Sequence, residues 1–262
     1  MGSTLGAARG RVLYESAMGY IEWAPPPSLR GVVACLWRST LPERPSRVPM
    51  PILPDGCVDL IWQSGHGAFL AGPDTRPVPN EGRAGREIVG VRLRPGAGGT
   101  VLGMPLEPLQ NLRPGLGEVV PGLVVPAEVR AGEALRRLIV ATGRLARENP
   151  VDPAMLAAAR MLRDPRIRVD EVAVEVGLSD RQLRRRFTAA VGYGPKTLQR
   201  IYRFRRYLAM VGEGSAGELA VRAGYTDQAH LSRETVEFAG LPPAALARRM
   251  RRDQGSVGAG FR

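Results

Sequence analysis

Gly177-Leu-Ser-Asp-Arg-Gln-Leu-Arg-Arg-Arg-Phe-Thr-Ala-Ala-Val-Gly-Tyr-Gly-Pro195 is echoed by Gly224-Tyr-Thr-Asp-Gln-Ala-His-Leu-Ser-Arg-Glu-Thr-Val-Glu-Phe-Ala-Gly-Leu-Pro-Pro243. The offset is 47 residues up to a single insertion in the second copy and 48 after it. Short helical segments, 169–176 and 215–223, precede the two copies. Each copy reads as a helix-turn-helix. Gly177 and Gly224 suit the left-handed conformation that ends a helix. Ser179 and Thr226 are expected to cap the next helix, and Ser179…Gln182 and Ser215…Glu218 have capping-box spacing.

On the first long helix Leu183, Phe187, Ala190 and Val191 share one face. Arg181 and Arg185 lie opposite, with Gln182 nearby and Arg184 and Thr188 at the edge. A helix that packs on its own domain and also enters a DNA major groove needs such a division. Arg reads guanine O6/N7 in bidentate fashion and Gln reads adenine. In the second copy Leu231, Thr235 and Phe238 point inward, while Gln228, Ala229, His230 and Arg233 lie near the helix start or outward. Pro195 opens a helix running to about Val211, with Ile201, Phe204, Leu208 and Val211 as its buried stripe and Gln199, Arg203 and Arg206 facing away. That helix is expected to hold the two units at a fixed separation.

Working outward, composition divides the chain near Pro126. Residues 1–126 hold 12 basic and 10 acidic residues, and residues 127–262 hold 25 and 15, so +10 of the net charge of +12 sits in the second part. Such a field suits a nucleic acid or an acidic surface. Seventeen of the 23 prolines precede residue 127, which favours strands and loops there and helices after. The segments 31–37, 57–62, 68–71 and 87–94 read as strands, and several short strands between turn signals suggest a sandwich or barrel. Residues 100–104 read as a short helical turn. From Ala127, helical spacing runs to residue 146, and Asp152-Pro153 opens a further helix that stops before Pro165. No apolar run approaches a membrane span of about 18–20 residues. The start lacks the apolar core of a secretory signal. Two cysteines, Cys35 and Cys57, make no disulfide framework, and two histidines, His66 and His230, leave little for a metal.

Residues 152–252 resemble the DNA-binding domain of AraC/XylS-type bacterial transcription regulators, through Glu218-Leu-Ala-Val-Arg-Ala-Gly-Tyr-Thr-Asp-Gln-Ala-His-Leu-Ser-Arg233 and the closing Gly240-Leu-Pro-Pro243. The resemblance implies a seven-helix domain whose two recognition helices enter adjacent major grooves. By position, Arg181, Arg184 and Arg185 match the base-reading residues of the first helix, and Gln228, Ala229, His230, Ser232 and Arg233 those of the second. Leu231 and Thr235 replace the aromatics usual in the second copy. Residues 20–120 look like an N-terminal domain often found on actinobacterial members. The resembling segments are Leu53-Pro-Asp-Gly-Cys-Val-Asp-Leu-Ile-Trp62, Gly72-Pro-Asp-Thr-Arg-Pro-Val78 and Gly90-Val-Arg-Leu-Arg-Pro-Gly-Ala-Gly-Gly99. By analogy it would be a cupin-like barrel that senses a small molecule.

The expected fold is α+β: a small, cupin-like β-barrel domain, then an all-α domain with two helix-turn-helix units. The expected boundaries are a flexible segment 1–19, a sensor or dimerisation domain 20–126, a linker helix 127–150, the double helix-turn-helix 151–252 and a flexible tail 253–262. DNA-binding residues are Arg181, Arg184, Arg185, Thr188, Gln228, His230, Ser232 and Arg233. Trp37, Cys57 and Trp62 are pocket candidates, against the plainer readings that the tryptophans fill the barrel and Cys57 is a buried small hydrophobe. Pro95-Gly-Ala-Gly-Gly99 lacks the Gly-Lys-Ser/Thr ending of a phosphate loop and reads as a turn. His66 with Asp55, Asp59 or Glu87 is a poor metal set and reads as a loop residue. The expectation is a cytoplasmic, sequence-specific transcription regulator, not an enzyme, without cofactor or metal. Candidate partners are a double-stranded DNA operator, a small-molecule effector, RNA polymerase and a second copy of the chain, with no membrane. Two rivals stay open: a barrel that only binds a partner or dimerises, and a DNA-targeted enzyme.

Overall fold

A computed structural model describes residues 12–15, 19–40, 50–80 and 85–254. The rest of the two expected tails, residues 1–11, 16–18 and 255–262, lies outside the described residues. Six strands form one sheet: β1 (Val12–Glu15), β2 (Tyr20–Trp23), β3 (Val33–Thr40), β4 (Val58–Gln63), β5 (Gly67–Ala71) and β6 (Glu87–Leu93). Their order is β1-β2-β3-β6-β4-β5. Every neighbouring pair is antiparallel. β1 comes from the segment expected to be flexible.

The sheet is open, with β1 and β5 at its edges, and does not close into the expected barrel. Period-two alternation tells which face a residue takes, not whether the end strands meet. Here one face is covered by a helix instead of by more strand. Leu36, Leu60, Trp62, Val89, Val91 and Leu93 form that buried face. Over them lies α3 (Ala131–Glu148), reached after two short helices, α1 (Gly98–Leu102) and α2 (Leu116–Val119). The stretch expected as a linker is thus a packing helix, whose Ala131, Ala134, Leu138 and Leu145 belong to the sheet's core. Its helical stripe was visible in the sequence, but its destination was not.

Seven helices follow: α4 (Pro153–Met161), α5 (Val169–Glu175), α6 (Asp180–Val191), α7 (Pro195–Ala209), α8 (Ala216–Ala223), α9 (Gln228–Ala239) and α10 (Pro243–Gln254). They share one apolar core that includes Phe187, Ile201, Phe204, Leu231 and Phe238. α5–α6 and α8–α9 are the two helix-turn-helix units, and α7 runs between them. α7 differs from expectation on its polar side. Gln199 and Arg203 are buried. The Gln199 amide donates to the carbonyls of Asp164 (3.3 Å) and Ile167 (2.8 Å). Arg203 donates to Gly224 O (3.3 Å), and Arg206 to Ala223 O (3.3 Å) and Arg163 O (2.6 Å). Helices end with carbonyls that lack partners within the helix. Arg203 and Arg206 serve the end of α8, and Gln199 and Arg206 hold the connection between α4 and α5, so the polar side of α7 is packed as well.

The sheet part and the helical part touch directly. Leu106 N–H donates to Ala189 O on α6 at 3.0 Å, and the Gln110 amide donates to Gly192 O at 3.2 Å. At Gly99 a Cβ would lie 2.3 Å from Ala189 O, so only glycine allows this approach.

Candidate nucleic-acid interface

α6 begins at a reciprocal cap. Gln182 N–H donates to Ser179 Oγ (3.3 Å), and Gln182 Oε1 accepts from Ser179 N–H (2.9 Å). The Gln182 amide oxygen is therefore committed to the helix start. Gly177 and Gly224 both have positive φ, 69° and 95°. The inward face of α6 is the expected one: Leu183, Phe187, Ala190 and Val191 are buried.

Arg181, Arg184 and Arg185 are exposed and Thr188 is half-buried, all along one side. Arg184 Nε donates to Asp180 Oδ2 at 2.8 Å, one turn back. Arg186, not among the expected readers, pairs with Asp152. Among the described residues no ion pair involves Arg181 or Arg185. A groove of about 620 Å³ runs beside them, lined by Asp180, Arg181, Arg184, Arg185 and Thr188 of α6 and by Pro105 and Glu107 of the sheet part.

α9 is capped by Asp227, whose Oδ1 accepts from His230 N–H at 2.7 Å. Thr226, the expected cap, is not the N-cap residue. Gln228, Ala229 and Arg233 are exposed, and Ser232 is half-buried. His230 is drawn inward. Its Nε2 lies 3.3 Å from Glu234 Oε1, and its ring meets Tyr225 edge-on with centroids 5.2 Å apart. Under α9, Glu234 is buried at 3% exposure. It accepts from Arg200 Nε (2.8 Å) and Arg203 Nη2 (3.3 Å). Burial pushes the Tyr225 phenol above its ordinary range, with the Glu234 charge adding to it. This ionic cluster had no sequence signal beyond polar residues at helical spacing.

The pocket candidates of the sheet part separate. Trp37 and Trp62 are not on neighbouring strands, because β6 lies between β3 and β4. They also take opposite faces. Trp62 is in the core under α3, its Nε1 donating to Pro126 O at 2.8 Å. Trp37 is on the second face with Cys35 and Ile61. Cys57 is half-buried, and burial holds its thiol well above the usual range. Pro95-Gly99 is a strand-to-helix turn into the five-residue α1. His66 packs edge-on against Phe69, with centroids 5.4 Å apart.

The second face holds a charged cluster that the sequence reading missed. Arg92 Nε donates to Asp59 Oδ1 (3.1 Å), and Arg92 Nη1 lies 3.6 Å from Asp55 and 3.9 Å from Glu22. Trp37 Nε1 donates to Asp59 Oδ1 at 2.8 Å. Two signals were present: Arg92 alternates with the buried Val91 and Leu93, and Asp59 interrupts the apolar run of β4.

Residues 172–249 match a family described as a helix-turn-helix domain. Residues 21–113 match a domain of unknown function, DUF6597. No curated protein matches the chain. Solved structures of ToxT from Vibrio cholerae are similar at low identity. ToxT bound to an unsaturated fatty acid is 10% identical with a TM-score of 0.40, covering 90% of this chain and 97% of that one. ToxT bound to (E)-4-(8-methylnaphthalen-1-yl)but-3-enoic acid is 12% identical with a TM-score of 0.43, covering 80% and 98%. Among the described residues no helix is long and apolar enough to cross a membrane. The C-terminal part thus matches a helix-turn-helix domain, and the part before it matches a DUF6597 domain.

Proposed function

We propose that the protein is a cytoplasmic, sequence-specific transcription regulator whose DNA affinity is set by a small molecule acting on the sheet part. The observation that carries the reading is the pair α6 and α9: each has an apolar underside and exposed side chains that suit base edges and phosphates, and each is fixed to α7. Arg181 and Arg185 are the principal readers in the first half-site. Arg233 and Gln228 serve the second. Two recognition helices on one side of a duplex engage successive major grooves when their half-sites lie about one turn, roughly 10 base pairs, apart. The reading assigns no catalytic step to the chain.

Selection of bound sequences from random duplex DNA by the full-length protein tests this. The expected product is a bipartite motif with that spacing, and Arg181→Ala/Arg185→Ala should lose sequence preference in one half only. Enrichment of no sequence over the random pool defeats the reading.

A further inference from the structure

Gly72-Pro-Asp-Thr-Arg-Pro-Val78 follows β5 and lies outside the six strands. It runs instead between the ends of the two recognition helices. α6 ends at Gly192 (φ 95°) and α9 at Gly240 (φ 69°), the left-handed C-caps of the two copies. At Gly192 a Cβ would lie 2.2 Å from the Pro73 ring, so only glycine allows the approach. At Gly240 a Cβ would lie 3.6 Å from the Pro77 ring, in ordinary van der Waals contact. One short segment of the sheet part therefore reaches the same point of both helix-turn-helix units. The four Cα steps from Pro73 to Pro77 span at most about 14 Å.

The segment is locked in place. Arg113 donates twice to the Asp74 carboxylate, at 2.9 and 2.6 Å. Thr75 N–H donates to Asn111 Oδ1 (2.9 Å), and the Asn111 amide donates to Thr75 Oγ1 (3.0 Å). Asn111 N–H donates to Pro73 O at 3.1 Å. Asn111 holds φ at 60°, a left-handed conformation that Asn adopts more readily than most residues. Residues 106–113 are in turn fixed to α6 by the bonds from Leu106 to Ala189 O and from Gln110 to Gly192 O. At the other end Val78 and Ile52 exchange two backbone bonds, 2.8 and 2.9 Å, and the next residue, Leu53, is buried in the helical core. Between these anchors Pro73 and Pro77 fix their own φ. The segment is a stiff spacer, not a slack loop.

Within the helical part, α6 and α9 each pack on α7. Helix-on-helix packing admits crossing angles that vary by about 15–20°. A shared neighbour therefore leaves the angle between two recognition helices open by that much unless a second tie holds it. A tie at the C-terminal ends has leverage on the base-reading ends. α9 has 12 residues. A helix of that length is about 18 Å long, so a swing of about 15° about its C-cap moves its start by about 5 Å. That exceeds the rise of one base pair, about 3.4 Å.

We propose that Pro73–Pro77 is a positioning strap that sets the angle between α6 and α9, and so selects the half-site spacing the protein accepts. The proposal rests on α6 and α9 being the recognition helices, and it gives the sheet part a way to act on DNA binding without touching a base. Pro73 and Pro77 are positioning residues that act through Gly192 and Gly240. Arg76, exposed between them, marks the point where the strap can be lengthened with least disturbance to its locks.

The test lengthens the strap by inserting Gly-Gly after Arg76 and, separately, removes its contact with α9 by Pro77→Gly, both in the full chain. Nitroxide labels on Arg181→Cys and Ala229→Cys, with Cys35→Ala and Cys57→Ala, report the distance between the recognition helices without DNA. The unaltered strap should give one narrow distance distribution, and both variants should broaden it. DNA binding is read with unlabelled proteins on duplexes that carry the selected half-sites at spacings one base pair apart. The unaltered protein should prefer one spacing over its neighbours by about tenfold, the scale of one mismatched base pair. The variants should lose that preference and keep the base preference within each half-site. An unchanged distance distribution, or affinity that falls equally at every spacing as a mere loss of stability would make it, overturns the proposal. A broadened distribution in a chain that enriches no sequence defeats the regulator reading and leaves the strap. A bipartite motif whose spacing preference survives both variants defeats the strap and leaves the regulator.

Discussion

The two helix-turn-helix units share a backbone plan and are supported by different physics. α6 rests on an apolar underside of Leu183, Phe187, Ala190 and Val191. α9 rests on Leu231 and Phe238 but also on the buried Glu234, held by Arg200, Arg203 and His230. α6 is braced by the sheet part through Ala189 and Gly192. Outward, α6 presents Arg181, Arg184 and Arg185 along one side, with Arg186 exposed beside them, and α9 presents Arg233, Gln228 and Ala229. The repeat therefore preserves a shape, while charge on the outer face and support on the inner face vary separately. Under the proposed function, the first copy would be the stronger reader of DNA, and it is hydrogen-bonded to the sheet part.

The largest effect should come from breaking the second copy's support. Removing one member of a buried ion cluster leaves the others charged and unpaired, which typically costs about 3–5 kcal/mol. Glu234→Ala should destabilise the protein on that scale in denaturant unfolding. Arg200 keeps its pair with Glu237 and is partly exposed, so only Arg203 is left without a carboxylate and the lower part of the range is expected. A loss under about 1 kcal/mol would mean that Arg200 and Arg203 reach water readily, and the contrast between ionic and apolar support would fall.

Next in size is the asymmetry of reading. Arg185→Ala should lose about 1–3 kcal/mol of binding and relax one base position if the contact is bidentate to guanine. If Arg185 meets only phosphate, binding weakens evenly across sequences and the salt slope falls by about one unit. Arg233→Ala should cost less. Titrations of single-base operator variants with each protein decide it. Equal penalties in the two half-sites would end the claim of unequal copies.

That comparison also shows what the sequence made legible. The repeat, the turn glycines, the cap at Ser179 and the inward residues of both recognition helices follow from local rules: helical period, left-handed turns and side-chain caps. What escaped depends on distant partners. Gln199 and Arg203 read as surface residues because their partners, the α4–α5 connection and the end of α8, are 21 to 35 residues away in sequence. His230 read as DNA-facing because the burial of Glu234 is a tertiary fact. α3 read as a linker because period alone does not say which surface a stripe covers. The open edge of the sheet, and the opposite faces of Trp37 and Trp62, depend on strand order, which local alternation leaves unstated.

A smaller effect tests the bracing of the first copy. Glu107 is an exposed carboxylate across the groove from Arg181, Arg184 and Arg185. It lowers the positive potential that DNA phosphates meet there. Glu107→Gln should raise DNA affinity by up to about 1 kcal/mol at low salt, and the gain should fade as salt is added. Fluorescence anisotropy at two salt concentrations measures it. Unchanged affinity at low salt would place the duplex away from this groove and remove the sheet part from the first copy's binding surface.

The smallest effect concerns Arg184, which the structure spends on Asp180 within α6. The pair is exposed on both sides, at 59% and 50% of side-chain surface, so water and salt screen it. Pairs one turn apart on a helix contribute about 0.3–0.5 kcal/mol. Asp180 also sits at the first turn of α6, where a negative charge suits the helix dipole. Asp180→Asn should therefore lower stability by only about 0.5 kcal/mol. Its effect on binding has the opposite sign, because it frees Arg184 for a phosphate or a base edge and removes a carboxylate from the face that meets DNA. Affinity should rise, and the salt slope should steepen by up to about one unit as one more phosphate is neutralised. In the second copy the residue at the start of the helix is Asp227, which caps His230 N–H instead of pairing with an arginine. Asp227→Asn keeps that acceptor and should leave the salt slope unchanged. If both substitutions steepen the slope alike, Arg184 is not held in reserve by Asp180, and the two copies differ less on their outer faces than their side chains suggest.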